Sequence, residues 1–490
     1  MHVQVADTPH RANETRWPLL SYGFALVVAL GLSYFLVHMP LQVSDDVTLI
    51  MIARSESLRD ILVSEFGPGS MYLRPLLKGS VNLAFEIAQG SGRYFLTFKA
   101  VQVAQVVTLL LLFARLLRVK SARDCAAACV AVVAVVGMHT FFSTVYEVYP
   151  INTFMTIVVC CVMAFVLCDG PSSLWRDLAA TALFAFALFT LETGVIVWVI
   201  VVVAFATGLR GVSLRGVIAV TAVLALYVGL KFFFLSGRLP TLNERSASVG
   251  FTSYNQQELV QNFSDRRLLF YGSNVGSSMV TIFFAEPRAG LWRFVRTIVR
   301  GQPMPFAMLL NVAVSTASSL LIFWFAWTRR HAWRRLEFNR YDSFVLVLLA
   351  AVPVNAVMSF PYTKDAIVSP AGVLYPLALY SALRAALARV EDVRPQRMAT
   401  VAVCALCVLS LGWTLRAAAV PYGLLRTAWL YQQQWVHVDD WIVEQGLTYY
   451  KPDERALIER LRGEALSMDV PNIRVVGGWM KWAERMFDIP

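Results

Sequence analysis

Residues 190–209 read TLETGVIVWVIVVVAFATGL, and this stretch decides the fold. Every residue from Val195 to Ala206 is apolar. A helix covering a soluble core shows a one-sided apolar stripe instead, so this run belongs inside a bilayer. Moving outward, VVTLLLLFARLL at 106–117 and AAACVAVVAVVGM at 126–138 repeat the pattern. A span takes about 20 mostly apolar residues. The chain offers about eleven such blocks: 17–38, 94–118, 124–142, 150–168, 177–190, 192–208, 216–235, 305–327, 342–359, 366–388 and 399–418. Of the 490 residues, 57% are hydrophobic and only 15% charged, and the mean hydropathy is +0.58. A soluble domain carries about 25% charged residues. This composition excludes a soluble enzyme or a nucleic-acid binder and predicts an all-α polytopic membrane protein.

The formal net charge of +11 gathers mostly in short loops between apolar blocks. Arg115, Arg118, Lys120 and Arg123 form one cluster, and Arg210 and Arg215 a second. Arg329, Arg330, Arg334 and Arg335 form a third, and Arg384, Arg389, Arg394 and Arg397 a fourth. With residues 1–16 cytoplasmic, all four fall on the cytoplasmic face, as the positive-inside bias requires. The agreement depends on reading 177–208 as two short spans that turn near Thr190–Gly194. One long span would carry the RRHAWRR cluster at 329–335 to the other side. Glu192 at the turn favours the two-span reading, because an ionisable residue in mid-membrane is costly unless it has water or a partner.

This threading makes 17–418 the membrane core, with outer loops at 39–93 and 236–304 and a small extracytoplasmic segment at 419–490. The first apolar block lacks an A-x-A cleavage site and reads as a retained anchor. Val47–Val63 mixes apolar residues with Arg54, Glu56, Arg59 and Asp60, the pattern of an interfacial helix. Trp429, Trp435 and Trp441 suit an aromatic belt. Beyond Pro452 a helix is expected near 453–467 and a strand at 473–476. The seven Cys lie in or beside apolar blocks. Cys404 and Cys407 have metal or redox spacing without His or carboxylate company, so they read as small packing residues.

Charged residues that could carry chemistry collect on the expected outer face. Asp45 and Asp46 follow the first span in QVSDDVTLI. A carboxylate there can serve as a general base, or it can complement the first turn of a helix capped by Ser44. Arg74, in MYLRPLLKG with Lys78 four residues on, can grip a phosphate or carboxylate; it can equally snorkel from an interfacial helix. Glu147 in TVYEVYPIN and Glu192 occupy two tight outer turns, as cavity-facing acidic groups or as solvated loop carboxylates. The loop 236–304 carries Arg238, Arg245, Arg266, Arg267, Arg288, Arg293, Arg296 and Arg300. That reverses the usual charge bias and invites an anionic ligand, although long loops follow the bias weakly. Lys231 and Lys364 point to the same face.

An acidic pair just past the first span, an interfacial helix and an RPL element, in that order, resemble the first outer loop of the GT-C superfamily. These polytopic glycosyltransferases use polyprenyl-phosphate-linked sugars. YEVYP resembles a second acidic position of that superfamily, and ALYVGLKFFF the segment before its central outer loop. FTLETGV resembles its short-helix turn, with Leu191 where a basic residue often stands. The likeness is architectural over most of the chain, and each motif is short.

The resemblance implies a GT-C-like core with a site on the outer face of the cytoplasmic membrane. One Asp of the pair, Asp45 by its place nearer the membrane surface or else Asp46, would be the catalytic base of an inverting transfer. Arg74, Lys78, Lys231, Arg238 and Lys364 would bind the donor phosphate, with Glu147 and Glu192 as acidic groups of the acceptor cavity. The partners implied are a polyprenyl-phosphate-linked sugar, a glycan or lipid acceptor and the bilayer, with no nucleic acid. No metal ligand set is assigned, and a divalent metal is left open as a cofactor. An O-antigen-type polymerase and a lipid-linked sugar flippase remain the competing readings.

Overall fold

The computed structural model describes residues 16–68, 72–147, 150–237, 256–284, 290–360, 365–392, 396–444 and 452–470. Helices α1 (Arg16–Val37), α2 (Ser44–Ser55), α3 (Leu58–Glu65), α4 (Pro75–Ser91) and α5 (Tyr94–Leu117) open the chain. A bent pair follows, α6 (Ala122–Gly137) and α7 (His139–Tyr146), then α8 (Thr153–Cys168), α9 (Leu174–Thr190) and α10 (Val195–Ala206). Next comes α11 (Leu214–Val228), which runs into a π-helical turn, Gly229–Phe234. Three helices, α12 (Gln256–Phe263), α13 (Arg267–Phe283) and α14 (Gly290–Val299), precede α15 (Phe306–Arg334) and α16 (Arg340–Met358). The chain finishes with α17 (Ser369–Gly372), α18 (Leu374–Asp392), α19 (Gln396–Val436), α20 (Val438–Glu444) and α21 (Pro452–Ser467). No strand occurs among the described residues, and the strand expected at 473–476 lies outside them.

Seven helices are long and apolar enough to cross a membrane, and the α6–α7 pair, bent by 54°, makes an eighth candidate. The helices α8, α9 and α10 span only 16, 17 and 12 residues. At 1.5 Å per residue each is shorter than a hydrocarbon core of about 30 Å. Large apolar side chains face outward, among them Val27 and Leu30 on α1 and Val408 and Leu411 on α19, each more than half exposed. Water-soluble monomers do not carry such a belt. The chain is an all-α, multi-pass membrane protein.

Polar contacts sort into the two ends of the bundle. At one end Asp169 pairs with Arg118 and Arg340, Arg384 with Asp124, Arg329 with Asp342, and Ser213 with Asp177. At the other end, here called the loop face because it bears 39–93, Glu192 meets Arg74 and Lys231. Asp177 and Glu192 therefore mark opposite ends of α9, and the chain reverses at Glu192–Gly194. That is the hairpin expected from the charge pattern. A Cβ on Gly194 would collide with the backbone of Ala187 and Leu188, so the turn needs glycine to close.

Three sequence expectations change. The interfacial stretch at 47–63 resolves into two helices, broken between Ser55 and Leu58, with Ser57 accepting from the Asp60 amide at the second start. The aromatic belt loses Trp435. This residue is fully buried on a helix that continues to Val436, and its indole N–H donates to the Leu41 carbonyl at 2.7 Å. The segment 236–304 is more than a surface loop. Asn274 of α13 donates to the Phe360 carbonyl (2.9 Å), and the Ser278 and Ser359 hydroxyls lie 3.1 Å apart at the end of α16. The Phe283 carbonyl, at the far end of α13, accepts from Ser319 in the middle of α15 (2.6 Å). α13 thus descends from the loop face along the bundle, with Asn274, Ser278 and Thr281 buried.

The 453–467 helix is present as α21, and it docks on the loop face. Arg54 pairs with Asp453, and Arg460 donates to the Gly92 carbonyl. Glu464 accepts from the Tyr94 and Phe95 amides (3.2 and 2.9 Å). A carboxylate there satisfies orphan donors and complements the positive end of α5.

The bend between α6 and α7 has a specific partner. Arg416 of α19 is 4% exposed and donates to the Gly137 carbonyl (3.0 Å), the Asn311 carbonyl (3.1 Å) and the Ser315 hydroxyl (2.7 Å). Its guanidinium lies 4.6 Å from the Trp413 ring centroid. Each acceptor left bare in a buried site costs about 1–3 kcal/mol. Arg416→Ala is therefore expected to destabilise the bundle by about 3 kcal/mol, read as a lower thermal midpoint in detergent. Arg416→Lys should recover only part, since an ammonium cannot span the fork.

Candidate functional site

The loop face holds two polar clusters, one buried and one partly buried. The first begins with Asp46. On α2 the residues Asp46, Ile50 and Ala53 are all buried; this i, i+4, i+7 spacing is the inward stripe of a helix. Asp46 is 1% exposed. Its Oδ2 accepts from the Gln42 amide at 2.8 Å, so one oxygen secures the entry to α2. Asp46 is near enough for its charge to act on Lys99 and on Tyr431. The backbone of Asp45 lies in the first turn of α2, and its side chain is outside the described set.

Lys99, in α5, is 1% exposed, and its ammonium donates to Gln102 (3.3 Å). Gln102 in turn donates to the Val145 carbonyl (3.0 Å). This chain reaches the turn that follows α7, where Glu147 is 6% exposed. Asn152 fixes the turn by donating to the carbonyls of Thr144 (2.6 Å) and Glu147 (2.9 Å), while its own Oδ1 caps α8. The charges of Glu147 and Asp46 both act on Tyr431, whose hydroxyl donates to the Tyr146 carbonyl (3.2 Å). Two sequence-expected carboxylates, a buried lysine and a tyrosine thus share one interior.

The second cluster centres on Glu192. Arg74 approaches its Oε2 with Nε at 2.8 Å and Nη2 at 2.6 Å, and Lys231 stands 3.5 Å from Oε1. Arg74 precedes Pro75 at the start of α4, and its guanidinium lies 4.0 Å from the Tyr72 ring centroid. Its backbone amide donates to Glu65 (3.1 Å), which also binds Lys78 at 2.5 Å. Lys78 and the Arg74 amide thus share the Glu65 carboxylate. Lys231 sits in the π-helical turn at the end of α11. The extra residue per turn re-aims side chains there, and such turns are frequent at functional sites. The Tyr227 and Thr193 hydroxyls are buried and have no hydrogen-bond partner. Both the Glu192 and Arg74 charges act on Tyr227. Arg238 and Lys364 lie outside the described residues.

Sequence reading missed several buried ionisable groups. Lys99 and Arg416 each stand alone in an apolar block, and a lone charge in such a block is itself a signal of an interior role. His139 is 4% exposed with Nε2 3.9 Å from Asp365; nothing local in the sequence joins residues so far apart. Among the described residues no three His, Cys, Asp or Glu converge as a cation site. Asp46 and Glu147 alone supply too few ligands for a divalent site. The Asp46 cluster can accept a proton in a shielded site, and the Arg74–Lys231 cluster can hold an anion. No family model, curated protein or solved structure matches the chain.

Proposed function

We propose that the chain is a GT-C-type glycosyltransferase that moves a sugar from a polyprenyl-phosphate donor to an acceptor hydroxyl. The observation that carries this reading is the gathering of buried carboxylates, Asp46 and Glu147, and paired cations, Arg74 and Lys231, on the single end of the bundle that bears 39–93. A membrane-embedded frame suits a donor whose tail stays in lipid. With the N-terminus cytoplasmic and the chain crossing about eleven times, this face is the outer face of the cytoplasmic membrane, and α21 lies on it.

In this mechanism the acceptor oxygen attacks the anomeric carbon as the bond from that carbon to the phosphate oxygen breaks. Asp46 takes the acceptor proton as general base; its place on the buried stripe of α2 supports that choice. Charge builds on the sugar as in oxocarbenium-like glycosyl transfer. The departing lipid phosphate carries away the electron pair, and Arg74 and Lys231 are preorganised to stabilise its negative charge. A single displacement inverts the anomeric centre. Glu147, across Tyr431 from Asp46, orients the acceptor.

The test is a comparison of lipid-linked glycans in cells with and without this chain. Loss should leave a polyprenyl-phosphate sugar accumulated and one glycan lacking that sugar. Unchanged donor and glycan pools would contradict the proposal.

A further inference from the structure

The Arg74–Lys231 cluster has more donors than its carboxylate can satisfy. An arginine edge normally presents two parallel donors to two acceptor oxygens. Here Nε and Nη2 both converge on Oε2 of Glu192. The other oxygen is left to Lys231 at 3.5 Å, the long limit of a hydrogen bond. Two buried hydroxyls nearby have no hydrogen-bond partner, that of Tyr227, on which the Glu192 charge acts, and that of Thr193, the next residue in the turn, although buried hydroxyls ordinarily find one. A planar group with two oxygens thus serves the Arg74 and Lys231 donors unevenly and leaves both hydroxyls unserved. An anion with tetrahedrally arranged oxygens would match them better.

We infer that Glu192 is a built-in stand-in for a phosphate group: it occupies the Arg74–Lys231 site in the resting protein and is displaced when a phosphate ligand binds. The inference deepens the proposed function and rests on its assignment of Arg74 and Lys231 to the donor phosphate. It reverses the role of Glu192, which becomes a competitor of the donor rather than part of the acceptor cavity. The pieces that must move are all at element ends. Glu192 lies in a three-residue turn, Arg74 in the loop before α4 and Lys231 in the π turn. Without an anion, Glu192 keeps the buried Lys231 and the half-buried Arg74 paired, which a membrane protein needs. When one binds, the released carboxylate can rotate toward the turn's open side, since its side chain retains 14% exposure.

The test measures anion binding to the full chain in detergent, by thermal shift, with inorganic phosphate and separately with a short-chain polyprenyl phosphate. Glu192→Gln keeps the shape and an acceptor oxygen for Arg74 but removes the competing charge. It should lower the half-saturating concentration of the polyprenyl phosphate about tenfold. Glu192→Asp keeps the charge with a shorter reach and should fall between parent and Gln. Adding Arg74→Ala to Glu192→Gln should abolish the response. A Glu192→Gln protein that is folded yet binds no tighter than the parent overturns the inference, as does a Glu192→Asp protein that binds more weakly than the parent. Equal tightening for inorganic phosphate, with no gain from the lipid chain, overturns the lipid source. None of these readouts involves sugar transfer. Tightened binding alongside unchanged cellular glycans would therefore sink the transferase reading and leave the anion site standing.

Discussion

Asp46→Asn is expected to lower the turnover of glycosyl transfer by about a hundredfold or more, the usual scale for losing a general base, while the yield of folded protein stays near that of the parent. Asn is the informative replacement because its side-chain oxygen can still accept the Gln42 amide that Asp46 holds at 2.8 Å. The entry to α2 is then preserved, and only charge and basicity are removed. Asp46→Ala would lose both and confuse a folding defect with a chemical one. Lys99 feels the Asp46 charge in the parent and loses a counter-charge in the variant, so size-exclusion profiles and thermal midpoints must be recorded beside the rates. Asp45→Asn is the matched control; a loss confined to Asp45→Asn would return the base to that residue. Full activity of Asp46→Asn would remove it from the chemistry.

Arg74→Ala is the second large effect. If Arg74 steadies the departing phosphate, its removal should cost about a hundredfold in kcat/KM, comparable to losing one preorganised oxyanion donor. Arg74→Lys should recover only part, because one ammonium cannot supply two directed donors. Part of the loss in Arg74→Ala could come from structure, as the variant leaves Glu192 with Lys231 alone. Kinetics separates the two contributions. A phosphate-stabilising residue depresses kcat as well as raising KM, whereas a loop that is merely displaced changes the amount of active protein and leaves both constants of the remainder intact. Donor dependence identical to the parent would take Arg74 out of the phosphate site.

The membrane class and most of the bundle were legible because apolar blocks report a local property, the energy of each residue in hydrocarbon. The α9–α10 hairpin was legible for a different reason. Charges in loops report parity, and only a turn at Glu192 kept the basic clusters on one side. The site was legible in its carboxylates and cations but not in their pairing. Arg74 and Glu192 are 118 residues apart and Lys231 another 39, and spacing in sequence says nothing about contacts closed by packed helices. The burial of Asp46 was written locally, since Asp46 shares a helical stripe with Ile50 and Ala53. Lys99 and Arg416 were hidden by averaging, since one charge hardly alters the hydropathy of a span. The inward course of α13 was hidden as well, because its Asn, Ser and Thr residues read as loop and face the bundle instead.

The central claim is that this chain transfers a sugar from a lipid phosphate, with Asp46 as base. It is tested most directly by reconstituting the purified protein in liposomes with a polyprenyl-phosphate sugar labelled in the sugar, together with an extract of the cell's own glycan and lipid acceptors. The account predicts that label moves to an acceptor with its anomeric configuration inverted, that one free polyprenyl phosphate appears per sugar moved, and that Asp46→Asn stops both. Labelled lipid that crosses the bilayer with its sugar still attached, or sugar transfer that persists in Asp46→Asn, would contradict it.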